Sequence, residues 1–326
     1  MRILVTGGTG FLGMRLVKKL VSQGDEVVVF SDKPEDLGVK VVAGDIRDKA
    51  ELRKVFSKVD IVYHLAACLD EANPDLWDIN VKGTQNVAEL CKEQKVKQLI
   101  FMSSSGVLGE TNKAAKETMP YNPKTEYERS KAEAEKIIKN SGVHYTIVRT
   151  TIIIGPNAIW ASIFEAARRG YPIIGSGRNY FHLVYIDDVI DLLTIVKQNK
   201  KAYDQVFHIA TKDTPTYEEV YQMIAEQLRV PVPTKHIPVK IALLSARMHV
   251  LSCNLSGKKP KLVKMKSSID RLVRNRILSI EKAGKILAFH PKYTTPHAIR
   301  ETIKYLQIAR LGYSDEDLAH LSKVKP

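Results

Sequence analysis

A short apolar run, Ile3-Leu4-Val5-Thr6, breaks directly into Gly7-Gly8-Thr9-Gly10-Phe11-Leu12-Gly13, and from Phe11 to Ser22 apolar residues recur at helical spacing. Three glycines so spaced between a strand and a helix leave the backbone few options. Gly7 permits a tight turn, Gly10 lets the main chain approach a bound group, and Gly13 lets helix and strand pack closely. The helix start, with Phe11 and Leu12, then turns unpaired N–H groups toward whatever lies over the turn, which favours a pyrophosphate. Glycines also serve ordinary turns, so the weight of the pattern comes from its place after the first strand.

The same rhythm repeats. Strands are predicted at Ile3 to Thr6, Glu26 to Phe30, Val39 to Val42, Ile61 to Leu65, Gln98 to Ser103 and Tyr145 to Arg149. Helices are predicted between them at Phe11 to Ser22, Lys49 to Phe56, Leu76 to Lys92 and Thr125 to Lys139. Strand and helix in alternation give an α/β fold, a doubly wound parallel sheet of Rossmann type. After Gly155-Pro156 the rhythm breaks. Val184 to Ile186 and Val206 to Ile209 read as late strands, while Pro231-Val232-Pro233 and Gly257 to Pro260 punctuate a more helical tail. The expected division is residues 1–155 and 182–212 for a dinucleotide-binding domain, and 156–181 and 213–326 for a smaller, mostly helical substrate lobe.

Along such a sheet, the ends of the strands supply the cofactor contacts. Strand two ends Phe30-Ser31-Asp32-Lys33, where a carboxylate is expected on the adenosine ribose. Asp32 would repel a 2′-phosphate, whereas Ser31 with Lys33 would accept one; NAD is favoured and NADP stays open. Asp45 is placed to accept from the adenine amino group, with Ile46 packing the ring. Leu65, Ala66 and Ala67 are small enough at the fourth strand's end to let backbone lie along the cofactor, and His64 reads as a packed strand residue.

Tyr127-Glu128-Arg129-Ser130-Lys131 lies in a stretch of helix formers. Residues i and i+4 share a helix face, so the Lys131 ammonium can stand near the Tyr127 phenol. A phenol with an ordinary pKa of about 10 is a poor base at neutral pH, and a cation beside it favours the phenolate. Among thirteen tyrosines only Tyr127 has lysine at the fourth position beyond it. Ser103, Ser104 and Ser105 end the preceding strand, where a hydroxyl can hold a substrate oxygen beside that phenol.

In their order, these motifs resemble the extended short-chain dehydrogenase/reductase superfamily, the NAD-dependent epimerase/dehydratase group. The resemblance runs through Thr6 to Gly13, Asp45-Ile46, His64 to Ala67, Asn80-Val81-Lys82-Gly83-Thr84, Ser103 to Gly109, Tyr127 to Lys131, Arg149 to Pro156 and Tyr185 to Val189. It implies Tyr127 as acid/base, Lys131 as its pKa modifier and ribose ligand, and Ser104 as donor to the substrate oxygen, with Ser105 the runner-up. Asn80, Ser103 and Thr150 are implied near the cofactor, and Ser105, Ile152 and Phe181 near the substrate. Arg149-Thr150 stands where the group commonly has Arg-Pro. Phe181 stands where sugar-nucleotide members place an arginine four residues before the tyrosine of Tyr-Ile-Asp-Asp-Val. Asn275 to Ala283 and Leu287 to Pro291 look more like the 3β-hydroxysteroid dehydrogenase and dihydroflavonol reductase-like branch. The resemblance thus implies net oxidation or reduction at a secondary hydroxyl or ketone, with 4-epimerisation or dehydration of a nucleotide sugar on recycled NAD as the alternative. It also implies a homodimer.

Composition narrows the setting. The 326 residues are 44% hydrophobic and 26% charged, as in an ordinary globular protein. Cys68, Cys91 and Cys253 are too far apart for zinc ligand pairs or a disulfide scaffold, so no metal is expected and a reducing cytoplasm fits. No secretion signal precedes the first strand, and the apolar stretch from Ile241 to Leu255 carries Arg247 and His249 and falls short of the roughly 20 residues that span a bilayer. The net charge of +14 sits wholly between Lys235 and Arg310, where 17 basic residues face three acids. A solvated face is the plain reading; a phosphate-bearing substrate, peripheral contact with an anionic membrane, or an RNA-associated, non-catalytic role are sharper ones.

Overall fold

The computed structural model describes residues 1–255 and 262–312. The punctuation expected at Gly257 to Pro260 lies outside the described residues. Seven parallel strands form the central sheet: β1 (Arg2–Thr6), β2 (Glu26–Ser31), β3 (Lys40–Ala43), β4 (Ile61–His64), β5 (Gln98–Ser104), β6 (Tyr145–Thr150) and, after three strands outside it, β10 (Gln205–Ile209). Their spatial order is β3-β2-β1-β4-β5-β6-β10. The order reverses between β1 and β4, and a doubly wound sheet opens its ligand crevice at that switch.

Alternation of side chains explains why both faces are covered. Ile3 and Val5 of β1 join one core with Leu16, Val17 and Leu20 of α1 (Phe11–Ser22), whereas Leu4 between them joins a second core. That second core takes Leu52 of α2 (Lys49–Arg53), Val87 and Leu90 of α3 (Gly83–Glu93), and Ala134 and Ile138 of α4 (Glu126–Lys139). Strands apolar at every position are what a sheet buried on both faces requires.

Two elements are shorter than their apolar patterns predict. Helix α2 stops at Arg53 because Lys54, Val55 and Phe56 turn on i−3 hydrogen bonds toward Lys58, which has φ of 56°. The run from Leu76 is split into a π-helical turn, Asp78–Lys82, and α3.

Beyond β6 the chain leaves the sheet through a single residue, Thr151, whose N–H donates to Ile209 O. Strand β7 (Ile152–Ile154) therefore pairs with β9 (Leu183–Tyr185) in a ribbon of its own, while β8 (Ile173–Ile174) pairs with β11 (His236–Ile237). The late strand expected near Val184 exists but does not rejoin the sheet; the one expected near Val206 does, as β10. Against the β7–β9 ribbon pack α5 (Ala158–Arg168), α7 (Tyr217–Leu228) and α11 (Thr295–Gly312), which contribute Trp160, Phe164, Tyr217, Tyr221 and Ile299 to a third core. Helix α6 (Ile186–Ile195) buries Asp188, whose carboxylate accepts from the N–H groups of Lys292 and Tyr293 and so fastens the chain between α10 (Glu281–Leu287) and α11 to the sheet. Helices α8 (Val239–Leu255) and α9 (Leu262–Val273) complete the helical C-terminal region. Among the described residues no helix is long and apolar enough to cross a membrane.

One ion pair ties the sheet's centre to α4. Glu135 is fully buried and accepts from Arg149 Nε at 2.9 Å and Nη2 at 2.7 Å, from Ser103 Oγ at 2.6 Å and from Tyr121 Oη at 2.8 Å. Burial alone would raise its pKa, yet Arg149 and the hydroxyl donors hold it below the ordinary carboxylate range. Breaking such a pair leaves a buried charge without a partner, so Arg149→Met is expected to lower stability by about 3–5 kcal/mol in chemical denaturation. The depressed carboxylate adds stability above its unfolded pKa, lost as pH falls through its folded value. Removing Glu135 should therefore flatten the acid limb of the stability profile, and an unchanged limb would refute this role.

Candidate active site

The glycine turn is built by close approaches. Gly7 has φ of +70°, and a Cβ there would lie 2.7 Å from Ala66 N; one at Gly13 would lie 2.3 Å from Gly7 O. Gly10 is exposed and starts α1 with no side-chain cap, so the first amides of that helix face outward over the turn beside Phe11 and Leu12. Thr9 Oγ1 and Ser31 Oγ share a hydrogen bond of 2.6 Å, which joins the turn to the end of β2. Ser31 is consumed by that bond, whereas Asp32 and Lys33 stand exposed beside it.

Further along, Asp45 chelates Arg47, accepting from its N at 2.8 Å, Nε at 2.9 Å and Nη2 at 2.6 Å, and Arg47 bridges on to Asp75. The Arg47 side chain holds the Asp45 carboxyl low. Ile46 is buried, and a Cβ on Gly83 would come within 2.5 Å of its Cδ1. Leu65, Ala66 and Ala67 are half-buried after β4. His64 is fully buried between Thr6 and Thr84 hydroxyls at 2.7 and 2.9 Å, and burial with Lys131 nearby pushes it down to about 3, so it is a neutral packed residue.

The carboxyl end of β5 carries the three serines in three different roles. Ser103 donates to Glu135, Ser104 caps the next turn by accepting from Gly106 N at 3.1 Å, and Ser105 is buried. Only Ser104 is half-exposed there. Asn80, in the π-helical turn, spends its amide on Cys68 N and O and on Ser130 Oγ, at 2.7 to 2.9 Å, and so braces α4.

Helix α4 begins with a capping box: Thr125 Oγ1 accepts from Glu128 N while Glu128 accepts from Thr125 N. That cap fixes where the helix starts and hence where Tyr127, in its first turn, projects. Lys131 and Glu135 follow on the same face, one and two turns on. Lys131 is 3% exposed, its Nζ 4.0 Å from the centre of the Phe101 ring, and burial drives its pKa down to about 7 against an upward pull from Glu135. Burial raises the Tyr127 phenol to about 12, and the cations that pull it back are Arg271 and Arg276. The sequence points to Lys131 and an oxidised nicotinamide for that pull, and the two arginines add to it.

Those arginines come from far along the chain. Arg276 pairs with Glu128, as does Arg274 at 3.4 Å, and Arg271 donates to Leu69 O. No local pattern announces them, whereas Glu135 had a signal in the four-residue repeat Tyr127, Lys131, Glu135. Phe181 is 4% exposed and packs on Tyr217 at 5.2 Å, so it belongs to the third core, and Ile152 lies in the β7–β9 ribbon. Thr150 is buried at the last position of β6.

Among the described residues, the buried side-chain polar atoms without a hydrogen bond include Thr151 Oγ1, just past β6, Arg276 Nε and Glu71 Oε1. Burying a polar group unpaired costs about 1–3 kcal/mol, so a polar ligand over the carboxyl end of β6 would satisfy Thr151 Oγ1. Together with the uncapped start of α1 and a turn with no room for a Cβ, the residues fit a dinucleotide.

The comparisons agree with that fit. The UDP-glucose 4-epimerase of Vibrio cholerae is 30% identical over 321 residues, 92% of this chain and 94% of the relative. An Arabidopsis thaliana 3beta-hydroxysteroid-dehydrogenase/decarboxylase, isoform 1, is 28% identical over 347 aligned positions, 92% of this chain and 78% of the relative. The crystal structure of UDP-glucose 4-epimerase from Thermotoga maritima with UDP-glucose superposes with a TM-score of 0.76 at 24% identity, over 95% of this chain and all of that one, a likeness of fold. Residues 3–210 match the sequence profile of the NAD dependent epimerase/dehydratase family, and the chain belongs to that family of enzymes.

Proposed function

We propose that the protein transfers hydride between NAD and a carbon bearing a secondary hydroxyl or ketone, with Tyr127 as the proton-transfer group. The observation that carries this reading is the stack of Tyr127, Lys131 and Glu135 on one face of α4, braced against β5 and β6 by a buried ion pair. When bound, NAD supplies the hydride acceptor or donor. Gly7, Gly10 and Gly13 would hold its pyrophosphate at the start of α1, Asp32 would receive its adenosine ribose, and Thr150 and Thr151 would contact its nicotinamide portion. Tyr127 Oη takes the substrate's hydroxyl proton or returns it, and Ser104 Oγ orients that oxygen. Lys131, Arg271 and Arg276 favour the phenolate during that transfer. The helical elements outside the sheet receive the rest of the substrate, and the assembly is a cytoplasmic homodimer.

A second reading has a specific observation behind it. The arginine that sugar-nucleotide members place at position 181 is replaced by Phe181, but Arg276 N donates to Tyr180 O beside it, and the Arg276 guanidinium carries an unpaired buried Nε. A diphosphate could take that donor, so 4-epimerisation with recycled NAD fits as well, as the name of the Vibrio cholerae relative suggests. The two readings separate on the purified protein. Stoichiometric bound dinucleotide, with no net change in nicotinamide absorbance during turnover of UDP-glucose, supports epimerisation. Exchangeable dinucleotide, reduced by a 3β-hydroxysteroid or another secondary alcohol, supports net oxidation.

Tyr127→Phe is expected to keep NAD binding while turnover on the accepted substrate falls by at least about a hundredfold. Near-normal turnover would overturn the assignment. Lys131→Met should weaken both NAD binding and turnover. It should also raise the melting temperature at pH 7. A lysine whose folded pKa lies near 7 rather than at the ordinary 10.5 is disfavoured in the fold whenever it is charged, and that penalty is full below about pH 7 and fades toward pH 10.5. The melting-temperature advantage of Lys131→Met should therefore shrink by about pH 9 in thermal scans.

A further inference from the structure

Helix α8 turns its large apolar side chains outward. Ile241, Leu244, Met248 and Leu251 are 55%, 58%, 60% and 59% exposed. At about 100° per residue they fall within an arc of about 80°, a continuous stripe down one side of the helix. Val263 of α9, which packs on α8, is 52% exposed as well. These five are gathered within 23 residues, while the other exposed large apolar side chains of the described residues are scattered from Met1 to Tyr305. Single exposed apolar residues are normal; a contiguous stripe marks a surface that something covers.

The charge around the stripe selects what covers it. Val239–Leu255 contains no aspartate or glutamate, and Lys240 and Arg247 run along one border of the stripe. Lys235, four residues before α8, and Lys266 of α9 are exposed as well, and among the described residues none of these four cations has an ion-pair partner. A second copy of the same face would bring like charges together. An anionic bilayer takes both halves of the pattern: the apolar stripe sinks to the level of the acyl chains, and Lys and Arg stems reach up to the headgroups. Seventeen residues at about 1.5 Å each give a helix of roughly 25 Å, which lies along such a surface.

We propose that the α8–α9 face docks the protein on an anionic lipid bilayer. The packing of α9 supports this placement. Ser267 and Ile269 are buried, and Arg271 reaches inward to Leu69 O and toward the Tyr127 phenol. Helix α9 thus joins the two regions, sending Arg271 toward the Tyr127 phenol while Val263 and Lys266 stay exposed beside α8. This inference does not depend on which reaction Tyr127 serves.

The test is co-sedimentation of the full-length protein with vesicles of phosphatidylcholine, with and without phosphatidylglycerol. Wild type is expected to sediment with the anionic vesicles, less so at high salt because screening shortens the reach of the cations. The pair Leu244→Asp and Met248→Asp should weaken that binding by at least about tenfold, with NAD binding and melting temperature unchanged. Lys240→Glu with Arg247→Glu should weaken binding to anionic vesicles while leaving the stripe intact. If the aspartate pair disturbs folding, Leu244→Ser with Met248→Ser reads the same face. No sedimentation of wild type, equal binding of neutral and anionic vesicles, or equal binding by the substituted proteins overturns the proposal. So does a concentration-dependent dimer in light scattering that the aspartate pair dissolves, which would assign the stripe to a second copy.

Discussion

The buried contact between Glu135 and Arg149 is the constraint on which the site rests. One carboxylate receives a guanidinium from β6, a hydroxyl from the end of β5 and a phenol from the loop before α4, so three elements distant in sequence are fixed relative to one helical face. That face carries Lys131 and Tyr127 one and two turns away. An ion pair withdrawn from water gains little net stability, but it tolerates few alternative geometries. Positional certainty is what the proposed proton-transfer role of Tyr127 requires, because misplacement by an ångström is costly in rate.

Burial sets the electrostatics around that face, and it works against both partners. It raises the phenol of Tyr127 to about 12 and lowers the ammonium of Lys131 to about 7, so burial keeps the phenol protonated and takes away part of the ammonium's charge at neutral pH. The opposing charges arrive from outside the sheet, in Arg271 and Arg276, whose segment is clamped to the start of α4 through Glu128. The residue that caps α4 therefore also anchors the arginines. Glu128 links where α4 begins to how strongly the phenol is pulled toward its ionised form.

The chain's charge excess has a division of labour that totals conceal. Arg271, Arg274 and Arg276 point inward and are engaged with Leu69, Asp270 and Glu128, whereas Lys235, Lys240, Arg247 and Lys266 stand exposed beside an apolar stripe. Lys258, Lys259 and Lys261 lie outside the described residues. Among the described residues, the basic run thus holds one group drawn toward the phenol and another at the surface.

The periodicities were legible without a structure because they are local. Short continuous apolar runs form strands buried on both faces, glycines at Gly7 and Gly13 mark a turn with no room for a Cβ, and Thr125 with Glu128 starts a helix. The order of these motifs along the chain placed the crevice and named Tyr127, Lys131 and Ser104. Only the tertiary structure decided how the hydroxyls and charges are spent: Ser103 on Glu135, Asn80 on Cys68 and Ser130, Asp45 on Arg47, and Phe181 on the third core. It also brought in Arg271 and Arg276, more than 140 residues beyond the tyrosine, and turned one side of α8 to solvent. Hydrogen bonds and Coulomb forces act through space, so a partner's distance along the chain leaves no trace in local pattern.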